Sequence, residues 1–254
     1  MYANYHTHTY RSHHATGTEE EYIERALKHG IKIMGFADHA PFMFPDGHED
    51  AWRISVDDAE GYIKKLRRIR EKYKDRLELH IGFEMEYYPA YFNEMFGYVK
   101  KLGAEYLILG QHYSGEKQEI HSGDKGHNES DLIKYTDTVI GAMKTGKFLY
   151  IAHPDMFRFD GDESVYEREA TRLCKAAKEY NIPLELNFLG ISDNRHYPRE
   201  KFWEIAGREG VTVIYGFDTH NVARAYDAES LVKAKAMSEK YSLNVIDEIE
   251  IKGL

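Results

Sequence analysis

The chain has one cysteine, Cys174, in 254 residues. An intramolecular disulfide is therefore excluded, and thiolate-held metal clusters have no material. Any bound metal must be held by nitrogen and oxygen. No stretch approaches the roughly 20 consecutive apolar residues a spanning helix needs, so a membrane partner is not expected. The segment from Met1 to His6 lacks a basic run followed by an apolar one, so no secretory signal is expected and the cytoplasm is the expected location. Positive charge is also short: 34 basic against 43 acidic side chains give a formal net charge of -9. A nucleic-acid backbone calls for clustered Lys and Arg on one face, so nucleic acid is not the expected partner. The one basic run, from Lys64 to Arg70, reads as the solvated side of an amphipathic helix. Proline-rich and Gly/Ser-rich linkers, a nucleophile elbow and a phosphate-cradling glycine loop are all missing.

What is present is a globular composition, 42% hydrophobic and 30% charged, with an excess of 14 histidines. The length suits a single α/β barrel, expected to span residues 1–254 as one domain. Short β-rich runs alternate with longer helical ones, the pattern of a parallel sheet with crossover helices. Seven strands are expected: 3–8, 31–37, 77–85, 106–112, 148–152, 184–188 and 211–216. Helix starts are marked by capping pairs at Thr18/Glu21, Ser55/Asp58, Asn128/Asp131 and Ser164/Glu167. Tyr22, Ile23, Ala26 and Leu27 form one apolar stripe, Val56, Ala59, Ile63, Leu66 and Ile69 a second, and Phe92, Met95, Phe96, Val99 and Leu102 a third, all expected to pack as core.

On this strand map the histidines gather at strand C-termini. His6 and His8 close the first strand, His39 follows the second, His112 ends the fourth, His153 the fifth, and His220 follows the seventh. In a closed α/β barrel these ends meet on one face, where that architecture builds its active sites. His6 and His8, two apart on a strand, are expected to point the same way and grip one ion; Asp218 and His220 repeat the spacing, and Glu84 ends the third strand. So many imidazoles and carboxylates exceed what one tetrahedral zinc requires. Two or three divalent ions sharing a bridging carboxylate would use them, and the donor types suit Zn, Fe or Mn better than Ca or Mg.

The motifs resemble those of the PHP (polymerase and histidinol phosphatase) superfamily, and within it the monofunctional histidinol-phosphate phosphatases. The resemblance runs over nearly the whole chain. It is carried by His6-Thr7-His8-Thr9 with His14 six residues on, Ala37-Asp38-His39-Ala40, Gly82-Phe83-Glu84-Met85-Glu86-Tyr87, Gly110-Gln111-His112, Ala152-His153-Pro154-Asp155 and Gly216-Phe217-Asp218-Thr219-His220. It implies an α/β fold, a distorted TIM-like barrel of seven β/α units. It also implies a trinuclear centre: His6, His8, Glu84 and Asp218 on one ion, Glu84 bridging to a second held by His112 and His153, and His14, His39 and His220 on a third. At the third ion His13 competes with His14, and the offset from His8 favours His14.

Ions at such a centre lower the pKa of bound water and neutralise phosphoryl oxygens, so the implied reaction is attack of a metal-bridging hydroxide on a small phosphate ester, L-histidinol phosphate in this branch. Glu84, Asp218 and His153 would carry catalysis. Arg158 would join them, also binding substrate phosphate together with Arg195, while His196 and Asn187 are further substrate contacts. Asp38, Glu86, Asp155 and Asn187 are candidates for orienting the imidazoles. His13, His121 and His127 lie in loops able to overhang the site, whereas His29, His48 and His80 read as structural. The loop 40–54, with Phe42, Phe44 and Trp52, either covers substrate or packs. Rival readings are a PHP phosphoesterase for a nucleotide or phosphotyrosine, a metal-dependent amidohydrolase, and a non-catalytic metal-binding module. Gln111-His112 stands where an amidohydrolase usually needs a lysine, and the full ligand set opposes a degenerate module.

Overall fold

In the computed structural model, which describes residues 1–44, 47, 49–115, 118 and 120–254, the strands build one curled, mainly parallel sheet. Strands β1 (Ala3–Asn4), β2 (Ile33–His39), β3 (Glu78–Met85) and β4 (Tyr106–Leu109) lie side by side in that order, as do β7 (Leu184–Asn187), β8 (Thr212–Gly216) and β9 (Asn244–Ile246). The run expected as the fifth strand joins these two groups. Ile151 bridges in parallel to Leu109 on one side and Leu184 on the other, supported by bonds from Leu149 N–H to Leu107 O and from Glu185 N–H to Ile151 O. A parallel bridge between Thr7 and Thr219 then closes the circle. The result is the expected TIM-like α/β barrel.

Helices α1 (Glu19–Lys28), α2 (Val56–Tyr73), α3 (Phe92–Leu102), α4 (Glu129–Thr145), α5 (Glu163–Glu179), α6 (Phe188–Ser192), α7 (Glu200–Glu209) and α8 (Ala228–Lys240) supply the crossovers. The apolar stripes read in α1, α2 and α3 do face the core: Tyr22, Ile23, Ala59, Ile63, Leu66, Met95 and Val99 are buried there. Thr18 and Asn128 form reciprocal capping boxes with Glu21 and Asp131, and Ser55 caps α2 through Asp58 N–H. At α5 the expected Ser164/Glu167 pair is not the cap. Asp162, two residues earlier, takes that place and accepts from Ser164 N–H at 2.8 Å, its short carboxylate reaching a first-turn donor.

Several boundaries differ from expectation. Regular pairing in the first strand stops at Asn4, and in the fourth at Leu109, so the histidine-bearing residues beyond them lie on irregular backbone at the barrel mouth. The sixth strand ends at Asn187 because α6 begins at Phe188, capped by the Asn187 side chain. A hairpin, β5 (Tyr113–Ser114) with β6 (Ile120–His121), occupies the long segment after β4. Strand β9 was not anticipated; it extends β8 in parallel at the opposite end from the mouth. There Ile246, Ile249 and Ile251 cover a small interior core that includes Tyr5, Ile33, Tyr106, Tyr150 and Ile214.

Candidate metal centre

Above that interior core the strand ends deliver their polar side chains into a cavity of about 480 Å³. Glycine makes the room. A Cβ at Gly110 would collide with Glu84 Oε1, and one at Gly216 with Glu185 Oε1, so both carboxylates occupy space that any larger residue would fill. Two of the expected ligands stand on unusual backbone: His153 at φ +30° and Asp218 at φ +48°, in the left-handed region that costs a non-glycine residue about 1 kcal/mol or more. Strain of this kind persists where the surrounding structure dictates the conformation, and here it aims both side chains into the mouth.

All nine side chains expected as metal ligands converge there, in overlapping groups: His6, His8 and Glu84; His6, His153 and Asp218; His39, Glu84 and His112; and His8, His14, His39 and His220. In one set two imidazole nitrogens lie close to each other and to both carboxylates. His6 Nε2 lies 3.1 Å from His8 Nε2, 3.4 Å from Glu84 Oε2 and 3.4 Å from Asp218 Oδ1, while His8 Nε2 lies 3.4 Å from Glu84 Oε2 and 3.2 Å from Asp218 Oδ1. Each of these spacings is in the range that bonds of about 2.0–2.1 Å to a shared ion allow. Glu84 also reaches the next group, with Oε1 2.9 Å from His153 Nε2 and 3.4 Å from His112 Nε2, and Oε2 3.0 Å from His39 Nδ1. Despite these approaches, the buried Glu84 Oε2 and His39 Nδ1 have no hydrogen-bond partner. Buried polar atoms are ordinarily satisfied, and divalent cations shared across this donor set would satisfy them.

Five of the other ring nitrogens are tied back, while the buried His153 Nδ1 has no partner. His6 Nδ1 is 2.8 Å from Glu185 Oε1, His8 Nδ1 3.3 Å from Asp38 Oδ1, and His112 Nδ1 2.9 Å from Glu86 Oε1. His14 Nδ1 and His220 Nδ1 contact the carbonyls of Ser12 and Asp218 at 2.6 and 3.0 Å. With Nδ1–H donating outward, each Nε2 lone pair is free to face the centre. Asp38 and Glu86 thus do what was expected of them, but Asp155 turns away and accepts from Arg199 N–H and Trp203 Nε1–H at 2.6 and 3.0 Å. Glu185 and Arg53 were not anticipated. Arg53 is buried, pairs with Glu86 and Asp50, and lies 3.8 Å over the Trp52 ring. A charged residue in the middle of the apolar run Leu184–Asn187 was the available signal for Glu185; Arg53 offered none.

Charge at the centre follows from this crowding. Burial opposes ionisation of Glu84, but the imidazoles of His112, His39 and His6 outweigh it and hold its carboxyl well below its ordinary value. Asp218 is held down in the same way by His6 and His8. For His8, burial is outweighed by the hydrogen bonds to Asp218 and Asp38, which push it up to about 9. His220 is driven down to about 3 by burial and by His8. Two carboxylates held ionised amid so many imidazoles are suited to a polyvalent cation.

The substrate side of the cavity differs in part from expectation. Arg195 lines it, as does Arg224, and both guanidiniums pair with Asp193. Arg158 does not line it; its Nε lies 3.4 Å from Asp160. His196 is also outside the lining, with Nε2 2.6 Å from the Met156 carbonyl. Asn187 is spent inside the protein, donating to Glu185 and Asp218 at 2.8 and 3.1 Å and accepting from Gly190 N–H. Trp52, Tyr113 and His121 line the cavity too, Tyr113 stacking near Trp52 and meeting His121 edge-on. Phe42 packs in the core and stacks on Phe44, so the first part of the 40–54 loop is packed while Trp52 faces the cavity. Among the bland assignments, His29 stacks on Tyr226 and His80 sits between Glu78 and Glu105, away from the mouth. His127 contacts the His121 carbonyl, His13 is exposed after a short 3-10 turn, and His48 lies outside the described residues.

Comparison with known proteins places this geometry among relatives. The PHP domain profile matches residues 4–188. A probable histidinol-phosphatase of Deinococcus radiodurans is 27% identical over 225 residues, covering 85% of each chain. A probable phosphatase of Thermoanaerobacter is 27% identical over 248 residues, 94% of this chain and 88% of its own. Among solved structures, a histidinol phosphatase of Lactococcus lactis in complex with zinc, L-histidinol and phosphate superposes with a TM-score of 0.73 at 17% identity, covering 96% of this chain and 95% of its own. A Listeria monocytogenes structure described as a histidinol phosphatase gives 0.73 at 20% identity, over 90% and 99%.

Proposed function

Because the chain belongs to the PHP domain family, we propose that it is a metal-dependent phosphomonoesterase that hydrolyses L-histidinol phosphate to L-histidinol and phosphate, a step of histidine biosynthesis. The observation that carries the chemistry is that His6 Nε2 and His8 Nε2 lie 3.1 Å apart and each 3.2–3.4 Å from Glu84 Oε2 and Asp218 Oδ1, carboxylates that line the cavity. The named substrate is supported by the Deinococcus relative.

His6, His8, Glu84 and Asp218 would hold one ion, Glu84 with His112 and His153 a second, and His14, His39 and His220 a third. His8 is close enough to this last group to share in it. When bound, divalent ions supply Lewis acidity toward the phosphoryl oxygens and a water ionised near neutral pH. The protein's own part is to bind and orient. Arg195 offers forked donors to the phosphoryl oxygens, and the rings of Trp52 and Tyr113 take up the flat leaving group. Two buried acids, Asp38 and Glu86, keep His8 and His112 from rotating away. No side-chain nucleophile is required: the sole cysteine is buried in α5, and burial pushes its thiol up, away from the thiolate form.

No described helix is long and apolar enough to cross a membrane. Residues 1–254 act in this reading as one catalytic domain in the cytoplasm, on a small molecule and without nucleic acid. The test is phosphate release from a panel of L-histidinol phosphate, AMP, phosphotyrosine and an aryl phosphate. Histidinol phosphate should give the highest kcat/KM; a nucleotide or phosphotyrosine preferred instead would transfer the assignment to another phosphoesterase of the family, and release from none would reject it.

A further inference from the structure

We propose that Glu185 is a positioning residue that locks ligands of two neighbouring ions to one another, and that position 216 is glycine because the Glu185 carboxylate fills the space a side chain there would take. The inference rests on reading the histidine cluster as a metal centre. Glu185 is fully buried on β7. Its Oε1 accepts from His6 Nδ1–H at 2.8 Å. Its Oε2 accepts from the backbone N–H of His153 at 3.1 Å and from Asn187 Nδ2–H at 2.8 Å. The same Asn187 amide donates to Asp218 Oδ2 at 3.1 Å.

One carboxylate therefore grips the ring of His6, the strained peptide of His153 at φ +30° and, through Asn187, the side chain of Asp218. These three residues hold one of the tight donor groups of the mouth between them. A carboxylate without a close Lys or Arg is an expensive thing to bury, and among the described residues no ion pair links Glu185 to either. Its three donors all belong to, or lead to, the chelating set. Gly216 supplies the independent observation. Its φ is not positive, so backbone conformation does not require glycine; a Cβ there would collide with Glu185 Oε1. A substitution at 216 therefore acts on the centre chiefly through Glu185.

The experiment is zinc affinity by chelator competition on metal-stripped protein, with thermal melts of the stripped protein alongside. Glu185→Gln should weaken zinc binding about 10- to 100-fold, as loss of an outer partner of a ligating histidine typically does, with the melting temperature of the stripped protein close to the parent's. Gly216→Ala should weaken it similarly in the parent and add less than threefold in Glu185→Ala, where the space is free. Should Glu185→Ala not fold, the isosteric Glu185→Gln decides alone. A lowered melting temperature with unchanged zinc affinity would make Glu185 an ordinary core residue and overturn the proposal. Additive effects of Gly216→Ala and Glu185→Ala would overturn the link to Gly216. A parent that binds no zinc would instead remove the metal reading itself.

Discussion

His8 is clamped between Asp38 and Asp218, and their hydrogen bonds outweigh burial to push its pKa up to about 9. A metal ligand must be neutral, so in metal-free protein at pH 7 an incoming ion displaces a proton from this ring. The sign is fixed: zinc affinity should rise with pH between about 7 and 9, and His6, whose burial is outweighed by Glu185 and Asp218 so that it too is raised, adds to the same slope. His220, held down near 3, is already neutral over that range and contributes no slope. Calorimetric titrations in two buffers of different ionisation enthalpy should show proton release at pH 7 that shrinks toward pH 9; an affinity flat across that interval would refute the assignment. Arg195 and Arg224 share Asp193 and line the cavity, whereas Arg158 faces Asp160. Replacing Arg195 or Arg224 with Ala should raise KM roughly tenfold, the scale of one charge-assisted hydrogen bond, and Arg158→Ala by clearly less. Equal effects at all three would return Arg158 to the phosphate site. Single residues were legible where chemistry repeats in the sequence, as in His6 and His8. Those chosen for adjacency alone, such as Asp155 beside His153, were not, because the turn that sends His153 inward sends Asp155 toward Trp203.

Strands carry the proposed ligands, but these lie where strand pairing has ended. Alternation along an unbroken first strand would put Tyr5 and His6 on opposite faces, yet Tyr5 joins the interior core and His6 the metal centre. The change occurs where pairing lapses after Asn4 and resumes as a single bridge at Thr7. Periodicity located the strands and could not show these breaks, since the closing contacts come from Thr219, more than 200 positions away. The short fifth strand was visible as an apolar run although only Ile151 bridges to its neighbours. At the end of β4, Gly110 admits Glu84 into the mouth. Gly110→Ala should displace that carboxylate and reduce kcat/KM by about 100-fold or more, the usual scale for disturbing a catalytic electrostatic group, while leaving far-ultraviolet circular dichroism unchanged. Activity within a few-fold of the parent would mean that Glu84 is not confined there.

The whole molecule is a ring of strands closed at the mouth by Thr7 and Thr219 and sealed at the other end by the C-terminal segment. The ring was readable because seven β/α alternations leave little else to build. The seal was not, because β9 has only three residues and its neighbours are acidic. Tyr5 ties the seal down, its hydroxyl donating to Ile249 O and accepting from Ile249 N–H, both at 3.1 Å. Tyr5→Phe should cost about 1–3 kcal/mol in denaturant unfolding while metal-loaded turnover stays near the parent's; an unchanged midpoint would show that the tail is not held through this residue. The central claim is that the histidines gathered at the other end are there for metal. Its most direct test is the turnover of L-histidinol phosphate by metal-stripped protein as zinc or manganese is added back in measured equivalents. Turnover should start near zero and rise to a plateau at two to three ions per chain, whereas full activity in the stripped, chelator-treated protein would contradict the claim.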